Sequence, residues 1–202
     1  MKQFFQSGNA QSSGKFRYFA YCPYCGAPLK SITERQIAQY CEGCHFIPHY
    51  NPSPGVVIMI VKEGKVLLGR RASRSFRSKS WCLPGGFMEF DENFLVAAHR
   101  EVLEETGLLV EIQGILNVVS NFLSDRLHTL VIVMQGFPLT ETERPGDDVE
   151  ELRWFPIEGP YPTLAFEADE FLLQQYASGA TTCLPIDPRY RILPNTTSAH
   201  SS

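Results

Sequence analysis

Two hundred and two residues, 44% hydrophobic, 12% aromatic and 20% charged, suit one medium domain with a small appendage and exclude a disordered or fibrous chain. Eighteen Lys and Arg against 22 Asp and Glu leave a net charge of -4, so no general excess of positive charge attracts nucleic acid, and any anion must be held locally. The longest apolar stretch, Val56 to Val61, is far short of the roughly 20 residues that span a bilayer, so a cytoplasmic protein with no membrane partner is expected.

In chain order, residues 1–17 are polar, rich in Gln, Ser and Asn, and read as a loose arm. Residues 18–50 hold four of the six cysteines, Cys22, Cys25, Cys41 and Cys44, in the pattern C-x2-C-x15-C-x2-C. Each pair presents two thiolates from one tight turn, and the 15 residues between the pairs are enough for a short hairpin. A tetrahedral, closed and therefore structural Zn2+ site follows, with Gly26 and Gly43 supplying turn conformations and His45 and His49 as bystanders. Two disulfides are the alternative, disfavoured by the reducing compartment expected for this chain.

The Pro-rich Asn51 to Gly55 links this ribbon to a second domain, expected over residues 51–182. Val56 to Val61 and Lys65 to Gly69 read as two strands joined at Glu63-Gly64. Basic and acidic stretches then alternate: seven Lys or Arg against one Glu from Lys62 to Lys79, and seven Asp or Glu against one Arg from Gly86 to Glu111. That asymmetry suits a phosphate held between cations and a metal-loaded acidic site, with Arg70, Arg71 and Arg77 as phosphate candidates. A helix from Asp91 or Glu92 to Thr106 carries the apolar stripe Leu95, Ala98, Val102 and ends at Gly107. Leu108 to Val119 and Leu127 to Phe137 read as strands joined through Asn121 to Arg126. An acidic loop Glu141 to Asp148, a strand Glu151 to Phe155, a helix Ala165 to Tyr176 and a C-terminal extension over residues 183–202 complete the chain. Strands interleaved with two helices give a compact α/β sandwich with a mixed sheet.

Glu101, Glu104 and Glu105 share one helix face, within an arc of roughly 100°. Three crowded carboxylates repel one another unless a cation relieves them, and hard oxygen donors select Mg2+ or Mn2+. Arg100 is placed to orient them. Gly86, Glu92, Arg100, Glu101, Val102, Glu104, Glu105, Gly107 and Leu108 together match G-x(5)-E-x(7)-R-E-U-x-E-E-x-G-U, U being bulky aliphatic, without a mismatch. This resembles a complete Nudix box.

The resemblance implies an α/β/α sandwich and Mg2+- or Mn2+-dependent hydrolysis of a nucleoside diphosphate linked to another moiety. On the family pattern Glu101, Glu104 and Glu105 are metal ligands, Arg100 orients them, Glu92 supports loop and helix, and Gly86 shapes the backbone beside the metal. The general base is Glu105 or, on a later loop, Glu150 or Glu151. A four-cysteine ribbon before such a domain resembles NADH pyrophosphatases and a set that includes plant-type FAD pyrophosphatases. The stretches His45 to Pro52 and Thr163 to Phe166 resemble the second set, and the signature S-Q-P-W-P-F-P-x-S of the first is replaced by Ser120 to Ser124. FAD, ADP-ribose and NADH are the implied substrates. A ligand-sensing or nucleic-acid-associated binding module and removal of RNA 5′ caps are the alternatives, and a homodimer is compatible with the family.

Overall fold

The computed structural model describes residues 19–31, 39–49, 51–124 and 127–192. The expected arm at residues 1–17, the tip of the ribbon hairpin and the last ten residues lie outside them. The chain divides into two compact units, with the break after Pro52 in the Pro-rich linker.

The first unit is a two-stranded antiparallel ribbon, β1 (Leu29–Ser31) and β2 (Gln39–Cys41), with Leu29 opposite Cys41. Its two cysteine turns have matching hydrogen bonds. Gly26 N–H donates to the Cys22 carbonyl (2.9 Å) as His45 N–H donates to that of Cys41 (2.8 Å). The Cys22 N–H reaches the Ala27 carbonyl (2.8 Å), and the Cys41 N–H that of Phe46 (2.9 Å). The equivalent left-handed positions are Gly26 (φ 74) and His45 (φ 60), so the second turn places His45, rather than the expected Gly43, in that conformation.

The second unit is a mixed seven-stranded sheet with a helix on each face. Its strands are β3 (Ser53–Lys62), β4 (Lys65–Arg71), β5 (Trp81–Cys82), β6 (Val110–Ser124), β7 (Leu127–Pro138), β8 (Val149–Pro156) and β9 (Leu184–Pro185). The order is β5-β4-β3-β7-β6-β9, with β8 also paired to β4, and β3 runs parallel to β7 while its other neighbour is antiparallel. Glu63 (φ 50) and Gly64 (φ 72) form the turn between β3 and β4, as two successive left-handed residues do in a tight hairpin.

The unbroken apolar run in β3 follows from burial on both faces. Val56, Ile58 and Ile60 pack with Leu95, Ala98 and Val102 of α1 (Phe94–Thr106). Met59 and Val61 pack with Ala168, Leu172 and Leu173 of α2 (Glu167–Ala177). Helix α1 starts later than Asp91 or Glu92, because Asn93 is the residue whose side chain accepts the orphan N–H groups of Leu95 (3.0 Å) and Val96 (3.1 Å). It ends at Gly107, which is left-handed as expected. Strand β6 continues through Asn121 to Ser124, so most of the expected loop is sheet, with Asn121 opposite Thr129. Beyond residue 182, β9 joins β6 and Ile186 enters the core, so the C-terminal extension begins as part of the sheet.

Candidate active site

A cavity of about 440 Å³ opens in the second unit between the loop before α1, the α1 carboxylates and the β6–β7 hairpin. Arg100 organises its rim. Its Nε and Nη2 hold Glu92 in a two-pronged pair (3.0 and 2.6 Å), Nη1 bonds both Glu101 and Glu104 (2.9 Å each), and Nη2 also reaches the Phe87 carbonyl (3.0 Å). The planar fork thus ties the loop, the residue before the helix and the helix face into one arrangement. Glu92 also accepts the Glu89 N–H (2.8 Å), and its bonds from Arg100 hold its carboxyl below the usual range.

Gly85 and Gly86 let this loop lie against β3. A Cβ on Gly85 (φ +147) would collide with the Val56 carbonyl oxygen and sit 2.7 Å from Val57 Cα; one on Gly86 would sit 2.5 Å from the Glu101 carboxylate. Glu105 is buried and accepts the Gly85 N–H (2.8 Å). Burial pushes its carboxyl well up, with nearby Asp148 and Glu101 adding to the shift; burial also raises Glu101, against the pull of Arg100.

Sequence reasoning missed Asp147 and Asp148, which line the same cavity. The loop after β7 brings them there by capping the free carbonyls of α1: Arg144 N–H donates to Thr106 (2.7 Å) and Gly146 N–H to Glu105 (3.1 Å). Asp148 is then fixed by Arg71 Nη2 (2.6 Å), yet its Oδ1 is buried without a hydrogen-bond partner. The acidity of this loop was visible in the sequence, but no spacing rule tied it to a helix about forty residues upstream.

The expected residues separate into those at the cavity and those away from it. Glu101, Glu105, Arg100 and Gly86 line it; Glu104 lies outside, half exposed and held by Arg100. Glu150 and Glu151 do not line it: both are tied to Arg70 (2.6 and 2.8 Å) on β4 and β8. Arg71 is at the cavity. Arg77 instead bonds the Ala165 carbonyl and lies over Phe166, which is itself at the cavity with Phe76 and Phe87. Phe122 stacks on His128 (3.8 Å between centroids), and Trp81 is buried against Phe155. Among the described residues, only the four cysteines form a group of three or more ligating side chains whose donor atoms all lie within 4.8 Å. The donors at the cavity still suit a hard divalent cation: Glu101, Glu105 and Asp148 offer carboxylate oxygens, the Asp148 Oδ1 is buried and unpaired, and burial works against the charge of the two glutamates.

The cysteine cluster suits a softer ion. Cys22 and Cys44 sulfurs are 3.5 Å apart and those of Cys25 and Cys41 3.4 Å, far beyond a disulfide bond and near the roughly 3.8 Å edge of a tetrahedron with Zn–S bonds of 2.3 Å. All four are free thiols, so the disulfide alternative does not hold.

A NUDIX domain family model matches residues 49–175. The chain belongs to the Nudix family. It is 32% identical over 144 residues to an ADP-ribose pyrophosphatase of Methanocaldococcus jannaschii, covering 71% of this chain and 80% of that protein. It is also 29% identical over 90 residues to an NAD-capped RNA hydrolase NudC of Vibrio cholerae, covering 45% of this chain but only 32% of that protein. A Nudix hydrolase crystal structure from Nitrosomonas europaea superposes with a TM-score of 0.69 at 30% identity, covering 79% of this chain and 91% of that one. The protein is thus a Nudix hydrolase with an N-terminal four-cysteine ribbon, and among the described residues no helix is long and apolar enough to cross a membrane.

This Nudix cavity also holds an unusual acid. Asp169, in the first turn of α2, is buried and accepts the Leu83 N–H (3.2 Å); burial pushes its carboxyl up to about 7. The folded chain therefore binds a proton here more readily than the unfolded chain, whose Asp titrates near 3.8. Above about pH 7 the fold carries a buried anion that costs up to about 4 kcal/mol; the cost shrinks as pH falls through 7 and vanishes below 3.8. Asp169→Asn is expected to stabilise the protein near pH 8.5, with less than half that gain near pH 5, in urea unfolding. An equal gain at both would show that the charge is not the cause.

Proposed function

We propose that this Nudix hydrolase splits the diphosphate of a nucleoside diphosphate derivative of the ADP-ribose, NADH or FAD type into two phosphorylated halves. The carrying observation is one cavity with Glu101, Glu105, Asp147 and Asp148 beside Arg71 and Arg100, continuous with an apolar and aromatic lining. Phosphoanhydride cleavage asks the protein chiefly for charge neutralisation and a positioned water. Mg2+ or Mn2+, held by Glu101 and Glu105 with Asp148, supplies charge neutralisation at the phosphate oxygens. Glu104 stands at the edge of that set, joined to Glu101 through Arg100 Nη1.

Glu105 is the group we assign to take the proton from the attacking water, because it is the helix carboxylate anchored by backbone at the cavity, whereas Glu150 and Glu151 are engaged by Arg70. Arg100 and Glu92 act by position: they fix the helix face and its preceding loop. Arg71, itself fixed by Asp148 and by the Phe76 carbonyl (2.7 Å), adds positive charge for the diphosphate. Phe87 and Phe166 offer faces for a heterocycle. In the ribbon, Zn2+ on Cys22, Cys25, Cys41 and Cys44 is structural, since four thiolates leave no open position.

The ADP-ribose pyrophosphatase relative favours a free nucleotide as substrate, and the NudC relatives favour a second reading in which the nucleotide caps an RNA. Chromatography of products from FAD, ADP-ribose, NADH, diadenosine polyphosphates and NAD-capped RNA, with Mg2+ or Mn2+, tests both. Two phosphorylated halves from a free nucleotide derivative, AMP with ribose 5-phosphate, reduced nicotinamide mononucleotide or FMN, are the expected result. Preference for the capped RNA, weakening steeply with salt, would favour the second reading, and turnover of nothing would overturn both.

A further inference from the structure

Phe166 stands at the N-cap of α2 and makes no side-chain bond to the helix. Ser, Thr, Asp or Asn there would satisfy the orphan N–H groups, so capping is not what this residue contributes. Its ring lines the cavity and meets two guanidiniums, with Arg71 Cζ 5.9 Å and Arg77 Cζ 5.4 Å from its centroid. Arg77 Cζ also lies 5.3 Å from the centroid of Phe76, another cavity residue, and Arg77 Nη1 donates to the Ala165 carbonyl. Arginine and phenylalanine thus alternate in the order Arg71, Phe166, Arg77, Phe76.

The loop that carries Arg77 joins β4 to β5. It is closed at its base, where Lys79 N–H donates to the Arg71 carbonyl and Arg71 N–H to that of Ser80 (2.9 Å each). Arg77 is left-handed (φ 53), a conformation that is costly for a residue with a Cβ and persists only where its surroundings hold it. Its side chain is exposed and does not line the cavity, so it is not itself placed to meet a diphosphate there. Its neighbours are. The Phe76 carbonyl, one residue away, accepts from Arg71 Nε (2.7 Å) and with the Asp148 carboxylate fixes the Arg71 guanidinium.

We propose that Arg77 is a positioning residue for the diphosphate: by clamping loop 72–80 to Phe166 and the Ala165 carbonyl, it holds the Phe76 carbonyl against Arg71 and so aims the Arg71 guanidinium into the cavity. This rests on the phosphate role given to Arg71 above and names what keeps that cation in place. A planar guanidinium suits the task, because one flat group can lie against aromatic rings while it donates in its plane to a carbonyl.

The test is calorimetric titration of the whole protein, in Mg2+, with the non-hydrolysable α,β-methylene analogue of ADP. Wild type is compared with Arg77→Ala, Arg77→Lys, Arg71→Ala and the double variant Arg71→Ala/Arg77→Ala. Arg77→Ala is expected to weaken binding roughly five- to tenfold, the worth of contacts of this kind. Arg77→Lys keeps the charge without the planar fork and should weaken it nearly as much. In the Arg71→Ala background, loss of Arg77 should change affinity by less than about twofold, because its effect passes through Arg71. Wild-type affinity in Arg77→Lys, or an equal loss in both backgrounds, would show a cation acting on the phosphates by charge alone and overturn the assignment. No loss in Arg77→Ala, or a wild type that binds no diphosphate, would overturn it as well. Melting temperatures of the Arg77 variants are expected within about 2 °C of wild type, since Arg77 lies outside both core clusters, and a larger fall would mark it as a support of the fold instead. Binding needs no turnover, so an absence of products from every nucleotide derivative would overturn the hydrolase reading and leave this one standing.

Discussion

Replacing Glu105 by Gln is expected to lower kcat by about 100- to 10,000-fold, the usual worth of a positioned acid or base, with little change in KM and no loss of thermal stability. Gln keeps an acceptor for the Gly85 N–H, so the loop before α1 stays anchored. It also removes a negative charge from a buried position next to Asp148 and Glu101, which repel it. Stability and activity should therefore move apart: the wild-type carboxylate is costly to the fold and needed for the reaction. Steady-state kinetics with a thermal melt reads both. A variant with kcat within tenfold of wild type would remove Glu105 from the chemistry, and one that melts early would show that the buried carboxylate is not a cost to the fold.

Loss of the zinc proposed for the ribbon should have a still larger energetic effect, confined to the first unit. Structural zinc contributes on the order of 10–16 kcal/mol to small domains that lack an apolar core. This ribbon has three-residue strands, and much of its apolar surface is exposed, with Phe19, Tyr21, Tyr24 and Ile47 all facing solvent. We expect one zinc per chain by elemental analysis, and protease sensitivity within residues 19–49 after chelation or in Cys41→Ser. The sheet unit, whose two core clusters are built from residues between Val56 and Ile186, should keep its melting transition. A zinc-free protein that resists protease in the ribbon would show that the cysteines need no metal.

Much of this was legible in the chain because the signals are local. Helix α1 and its Gly107 stop follow from a stripe spaced at helical period, and the β3–β4 hairpin from Glu63-Gly64. The cysteine cluster follows from two short spacings. In each case a few neighbouring residues carry the constraint. The errors were local too: Asn93 outcompeted Asp91 and Glu92 as the cap because its side chain reaches two N–H groups, and His45 took the turn position expected of a glycine.

The sequence by itself determined the Nudix box, the ribbon, the sandwich of sheet and helices, and the clustering of Glu101 and Glu105 on one helix face, all set by contiguous residues and their periodicity. Only the tertiary structure decided that Glu104 is turned to Arg100 and away from the cavity, that Arg70 engages Glu150 and Glu151, and that Asp148, Asp169 and Asn121 meet the same cavity as Glu105. Those residues lie on separate loops and strands. Their approach depends on a loop capping the α1 carbonyls and on the register of β6 against β7, which no local pattern encodes.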